Sequence, residues 1–243
     1  MKSIAKKLVL LSVFGISSMA FNAFADAGPH GAVADPCLPE HPNTANQWDC
    51  VEWTTTPGGS TWMHATEAEW FGPDGTDSTT FSFSGDNVVL TCGTAEVSCT
   101  LTLEGHARIN TEVGNDFSIR VVDGDVEGGF LCGFVDLNFD PYWYFDVNNH
   151  SGPWTDNSYV ANQGTLAPYT GSTVASVGNI DLAVSLLGIS VTDGHIDDVV
   201  FENGGAGNPS SFTFNGSIDE SDGTPTGCTI SGGVVSYDDI NAW

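Results

Sequence analysis

Acidic, cysteine and aromatic side chains are the groups with which this 243-residue chain could do chemistry. Asp136-Leu137-Asn138-Phe139-Asp140 opens like a calcium loop, with oxygen ligands at alternate positions. The pattern then departs: Pro141 stands where such a loop needs glycine, and Val147 where it needs a bidentate glutamate. Asp123, Asp125 and Glu127 form a second acidic cluster, and Asp193, Asp197, Asp198 and Glu202 a third. Runs of carboxylates are usually solvated faces. The expectation is therefore no cofactor, with calcium as the one candidate. Six histidines, His30, His41, His64, His106, His150 and His195, are scattered without ligand spacing. The chain has no G-x-S-x-G elbow, no H-E-x-x-H and no phosphate loop. A carboxylate pair for glycoside hydrolysis stays open as an alternative, because the separation that matters is spatial.

Six cysteines, Cys37, Cys50, Cys92, Cys99, Cys132 and Cys228, are an even set suited to disulfides. They allow about fifteen connectivities. Spacing favours Cys37 with Cys50, Cys92 with Cys99 across the turn-like Gly93-Thr94-Ala95-Glu96, and Cys132 with Cys228.

The aromatics are the candidate binding groups. Trp48, Trp53, Trp62 and Trp70 crowd one stretch, and Tyr142-Trp143-Tyr144-Phe145 another. On a strand, two residues of the second run face one way and two the other. An exposed set drawn from Trp48, Trp53, Trp62, Trp70, Tyr142, Trp143 and Tyr144 offers flat apolar area for hydrocarbon or for sugar rings. The Trp48–Trp70 stretch is the favoured one, because it lies outside the regular β pattern.

All three lysines, Lys2, Lys6 and Lys7, precede an apolar run, Leu8 to Ile16, and an Ala23-Phe24-Ala25 cleavage site. Residues 1–25 thus read as a secretory signal peptide, with the mature protein bacterial, secreted or periplasmic. The run is too short to span a bilayer, so no transmembrane segment is expected. Losing those three lysines takes the formal charge from −26 to −29 and leaves Arg108 and Arg120 as the firm cations. Such a chain is a poor partner for nucleic acid or for an anionic membrane. Acidity spread over the whole length suits a salty habitat.

These residues must be positioned by strands. Residues 26–78 read as an extended arm leading into the Trp-rich segment, with one short helix expected from Ser60 to Trp70. From residue 79 to 243, apolar and polar residues alternate with period two. Phe81-Ser82-Phe83-Ser84, Cys99-Thr100-Leu101-Thr102-Leu103 and Phe212-Thr213-Phe214-Asn215 each have one apolar face. Turn residues such as Asp123-Gly124 and Asp222-Gly223 separate the runs. Ile180 to Val191 fits strand or helix, and the flanking glycines favour strand. The expected fold is an all-β sandwich, jelly-roll or Ig-like, preceded by an irregular Trp-rich segment.

Three motifs carry a resemblance. Ser98-Cys99-Thr100-Leu101-Thr102-Leu103-Glu104-Gly105, then Gly128-Gly129-Phe130-Leu131-Cys132 leading to Pro141-Tyr142-Trp143, and Gly227-Cys228-Thr229-Ile230-Ser231-Gly232 resemble secreted bacterial activators of alkane oxidation over residues 79–236. The resemblance implies a small exported β protein that helps cells use hydrophobic substrates, with no active site to carry over. The expected function is accordingly non-catalytic: a surface or matrix protein contacting hydrophobic substrates or cell-surface material, able to self-associate. A carbohydrate-binding or adhesin-like module is one alternative, and a hydrolase another.

Overall fold

The structure, a computed structural model, describes residues 51–54, 63–65, 69–110, 116–146, 172–202, 209–237 and 239–242. Twelve strands follow one another: β1 Val51–Thr54, β2 Met63–Ala65, β3 Phe81–Cys92, β4 Ala95–Asn110, β5 Asp116–Gly128, β6 Val135–Asn138, β7 Trp143–Asp146, β8 Ser172–Val184, β9 Ile189–Glu202, β10 Ser211–Glu220, β11 Pro225–Ser236 and β12 Asp239–Ala242. Short 3-10 turns fill Cys132–Phe134 and Ser185–Leu187.

The expected sandwich is overturned. The main sheet closes into an eight-strand antiparallel barrel. β3, β4, β5, β7, β8, β9, β10 and β11 each pair with the next, and β11 returns to β3. A jelly roll or Ig fold needs crossing connections between two sheets; this meander has none and leaves no open edge. β6 and β7 are two halves of one stave, because β6 pairs with Asp181–Val184 of β8 and β7 with Ser176–Gly178.

Closure needs long strands that bend. β4 runs for 16 residues. Its register with β3 shifts between Gly85 and Val88, and its register with β5 between Glu104 and Gly105. β3 and β11 shift together between Ser231 and Val235. At that corner the backbones touch: a Cβ on Gly85 would overlap the Gly233 carbonyl oxygen. Bulges and glycine kinks of this kind are how a flat pleat turns into a barrel wall.

The alternation fixes the two faces of the wall. Phe81, Phe83, Leu101, Leu103, Phe212 and Phe214 are buried inside. Ser84 bonds Thr102, Thr100 bonds Asp86, and Thr80 bonds Glu104 on the outside. A bilayer barrel has the opposite polarity, with an apolar outer band. Among the described residues no helix is long and apolar enough to cross a membrane.

The helix expected over Ser60–Trp70 is corrected as well. Met63–Ala65 is β2, antiparallel to β1, and β1 pairs in turn with β12. This small sheet lies at the end of the barrel where β3 begins and β11 ends. Val51, Trp53 and Ile240 join the core there. Trp53 stacks on Phe71 with ring centroids 5.1 Å apart and meets Phe81 edge-on at 5.7 Å. The indole Nε1 donates to the Pro73 carbonyl oxygen at 3.0 Å, so its one polar atom is satisfied. Above this plug, Phe83, Phe145, Phe201 and Phe212 form an aromatic layer with neighbouring centroids 4.7–6.0 Å apart.

Two disulfides differ from the expected pairing: Cys92–Cys228 and Cys99–Cys132. Register explains both. Cys92 faces Ala95 across the β3–β4 hairpin and Cys228 on its other side, whereas Cys99 faces Val88 and lies out of reach. Cys37, Cys50, Trp48, Trp62 and the arm over 26–50 lie outside the described residues.

Candidate functional site

Inward positions of every stave surround one apolar lumen. Its cavity is about 90 Å3 and is lined by Phe83, Val88, Leu90, Val97, Cys99, Leu101, Leu103, Ile119, Val121, Val126, Val135, Leu137, Trp143, Phe145, Val177, Ile180, Leu182, Ile196, Phe212, Phe214, Ile218, Ile230 and Val234. An eight-strand barrel is about wide enough for side chains to fill it or for one small ligand. Trp143 brings the one polar side-chain atom with a proton to give, and its Nε1 is spent on the Asn138 carbonyl oxygen at 2.7 Å. The lumen is therefore dry: water inside would find no partner.

The two ends of the lumen differ. At the β3-start end, Phe83, Phe145 and Phe212 are buried over the Trp53–Phe71–Phe81 plug. At the opposite end, Leu90, Val126, Val135, Leu137 and Ile230 line the lumen yet stay half-buried. Solvent reaches the lining from that side, which is the mouth.

The mouth is rimmed by hydrocarbon. The β5–β6 connection presents Phe130, 82% exposed, and Leu131; the β8–β9 connection presents Leu186, 53% exposed, and Leu187. Phe130 packs edge-on against Phe134 with centroids 5.1 Å apart. A second hollow, about 150 Å3, lies among Ala95, Glu96, Val97, Leu131, Phe134, Val184, Leu186 and Leu187, so the two connections share one apolar patch. They are also tied together. Cys99–Cys132 staples the first to β4, and Ser185 donates to the Phe134 carbonyl oxygen at 3.1 Å. Scattered apolar residues on a surface are ordinary, but a contiguous patch at a cavity mouth marks a binding face.

Of the residues expected to bind, Trp48 and Trp62 lie outside the described residues, and the others stand away from this mouth. Trp53 is core, 2% exposed. Trp143 lines the lumen beside Phe145. Tyr142 and Tyr144 take the other face of the strand, as alternation requires. Tyr144 is buried near Trp70, with centroids 6.1 Å apart, and Tyr142 is exposed. Trp70 is half-buried on the outer wall, where the guanidiniums of Arg108 and Arg120 lie 4.1 and 4.9 Å from its ring. Arg120 also covers the Tyr142 ring at 5.0 Å. Both arginines thus stand over aromatic rings. Arg120 donates to His106 Nδ1 at 3.1 Å. Burial first, and then the charge of Arg120, hold the His106 pKa below its ordinary value.

The acidic clusters do not converge. Asp123, Asp125 and Glu127 alternate along the outer face of β5. Asn138 spends its amide on Asp181, at 2.8 Å, and on its own turn. Among the described residues no three His, Cys, Asp or Glu side chains are grouped to hold an ion. Ser176, Asp197 and His195 do meet, with Ser176 Oγ 2.7 Å from Asp197 and His195 Nε2 3.6 Å from the same carboxylate. The order is wrong for nucleophilic catalysis. The carboxylate stands between the hydroxyl and the imidazole, so the histidine cannot take the serine proton.

Comparison with protein-family models, with curated proteins and with solved structures gave no match. The rim residues Phe130, Leu131, Phe134, Leu186 and Leu187 were not singled out from the sequence as a binding site. Their signal is a pair of bulky apolar residues inside glycine-punctuated connections, Gly129-Phe130-Leu131-Cys132-Gly133-Phe134 and Leu186-Leu187-Gly188.

Proposed function

We propose that this is an exported, non-catalytic protein that engages hydrophobic material through the apolar mouth of its barrel. The observation that carries the proposal is the clustering of Phe130, Leu131, Leu186 and Leu187, all exposed, around the open end of a lumen with no polar lining. The Lys-led leader and the disulfides suit an oxidising compartment. The polar outer wall suits a protein that stays in water and meets oil at one end. The resemblance to alkane-oxidation activators points to the same class of partner.

The test is adsorption to hexadecane droplets by the parent protein and by a Phe130→Ser/Leu186→Ser variant. Burying a phenyl ring that is 82% exposed and half a leucine gains about 4 kcal/mol at roughly 25 cal/mol per Å2. The variant should lose adsorption by at least about two orders of magnitude with its melting temperature unchanged. Undiminished adsorption by a folded variant would remove the mouth from the function.

A further inference from the structure

We infer that the lumen is itself a ligand site, and that its ligand is an unbranched alkyl chain carrying no anionic group. The inference rests on the mouth being the working end, as proposed above. Three observations carry it.

The first is the chemistry of the lining. Hydrocarbon faces the cavity on every stave, and the Trp143 Nε1 is turned away to Asn138. A ligand group that needs a hydrogen bond finds none inside and would have to leave its water behind. The inserted part must be hydrocarbon. The second is size. A cavity of about 90 Å3 is smaller than the roughly 150 Å3 dry cavity known to take up benzene. A slender chain fits better than a ring, and the chain can continue through the half-buried residues Leu90, Val126 and Ile230 into the mouth.

The third is charge. The head of an amphiphile lodged in the lumen would sit at the mouth, beside the exposed Glu96. Among the described residues no lysine or arginine stands there. Beyond the leader the chain has two, Arg108 and Arg120. Both are stacked on Trp70 on the outer wall of the plugged half. With the −26 of the full chain taken to −29 by loss of the three leader lysines, the protein repels a carboxylate before contact and offers it nothing on arrival. An alcohol or a plain alkane meets neither penalty.

The experiment is calorimetric titration of the full exported protein with nonan-1-ol and with nonanoate at pH 8 and low salt. Nonan-1-ol should bind at one site, at least tenfold tighter than nonanoate, with the gap narrowing in high salt. Val126→Phe or Ile230→Phe, which fills the outer lumen at a half-exposed position, should weaken nonan-1-ol binding at least tenfold. Tyr237→Ser, 69% exposed at the plugged end beyond β11, should leave it within threefold. Equal binding of the two probes, no binding of either, or full binding by both lumen-filled variants overturns the inference. Droplet adsorption that survives such a result would leave the mouth as a docking face without a lumen site. Loss of adsorption with nonan-1-ol binding intact would identify the rim and the lumen as separate devices.

Discussion

Replacing each disulfide as a pair of serines measures how the barrel is closed. Cys92 and Cys228 are separated by 136 residues and tie the first strand of the barrel to the last. Cys99 and Cys132 are separated by 33 residues and tie down one connection. Restricting the unfolded chain over these lengths is worth about 5 kcal/mol for the long loop and about 4 kcal/mol for the short one. The gap, set by the logarithm of the length ratio, is about 1 kcal/mol. Domains are commonly stable by only about 5–15 kcal/mol, so Cys92→Ser/Cys228→Ser should bring the fold close to its limit. Urea titration followed by circular dichroism gives the free energies. Peptide mapping of the unreduced protein gives the bonds. Proteolysis adds a spatial readout: Cys99→Ser/Cys132→Ser should open cleavage at Gly129–Gly133 while the rest stays resistant. A peptide joining Cys92 to Cys99, or a Cys92→Ser/Cys228→Ser protein as stable as its parent, would refute the reasoning.

Trp53→Ala should cost about 3–5 kcal/mol, as expected of a buried ring, and leave droplet adsorption per folded molecule unchanged; selective loss of adsorption would contradict its place in the plug. Gly85→Ala should destabilise by more than about 3 kcal/mol, because the added methyl overlaps the Gly233 carbonyl, and urea titration reads this directly. His106 titrates below its ordinary value when folded, so the unfolded chain binds the proton more readily. The associated stability is present above about pH 6.5 and is lost as pH falls through that value toward the depressed folded pKa. His106→Gln should flatten the stability profile between about pH 7 and 5, and an unchanged slope would assign that limb to other groups. Melting temperature should rise with sodium chloride, since a formal charge of −26 repels itself over about 10 Å at 0.1 M salt; a flat curve would show that the carboxylates are too dispersed to matter.

The strands were legible because alternation is a local property. Phe81 and Phe83, Leu101 and Leu103, Phe212 and Phe214 face inward as their spacing required, and Tyr142 to Phe145 divide two and two. Closure was not legible. A sandwich and a barrel impose the same period on each strand. What separates them is the β11–β3 pairing and the paired bulges near Gly85 and Gly232-Gly233, which depend on contacts between the two ends of the sequence. The expected Cys92–Cys99 and Cys132–Cys228 pairs failed for the same reason, since Cys92 meets Cys228 only once the ring is closed. Aromatic density did not separate exposed rings from core ones. In Trp53 and Trp143 it supplies bulk to the plug and the lumen, while the exposed rim uses Phe130, Leu131 and the Leu186–Leu187 pair in loops that carry no periodicity.

The pairing of β11 with β3 has a consequence for the order of events as the chain is made. A polypeptide emerging N-terminus first, from a ribosome or through a transport channel, offers β3 long before β11 exists. Until residues 225–236 arrive, β3 to β10 are an open ribbon with one greasy side and two bare edges, the form most prone to mispairing. Contacts between distant segments make such folds slow to form. The protein is therefore in its most vulnerable state during synthesis, and the dense negative charge along the ribbon keeps neighbouring copies apart for as long as the last strand is missing.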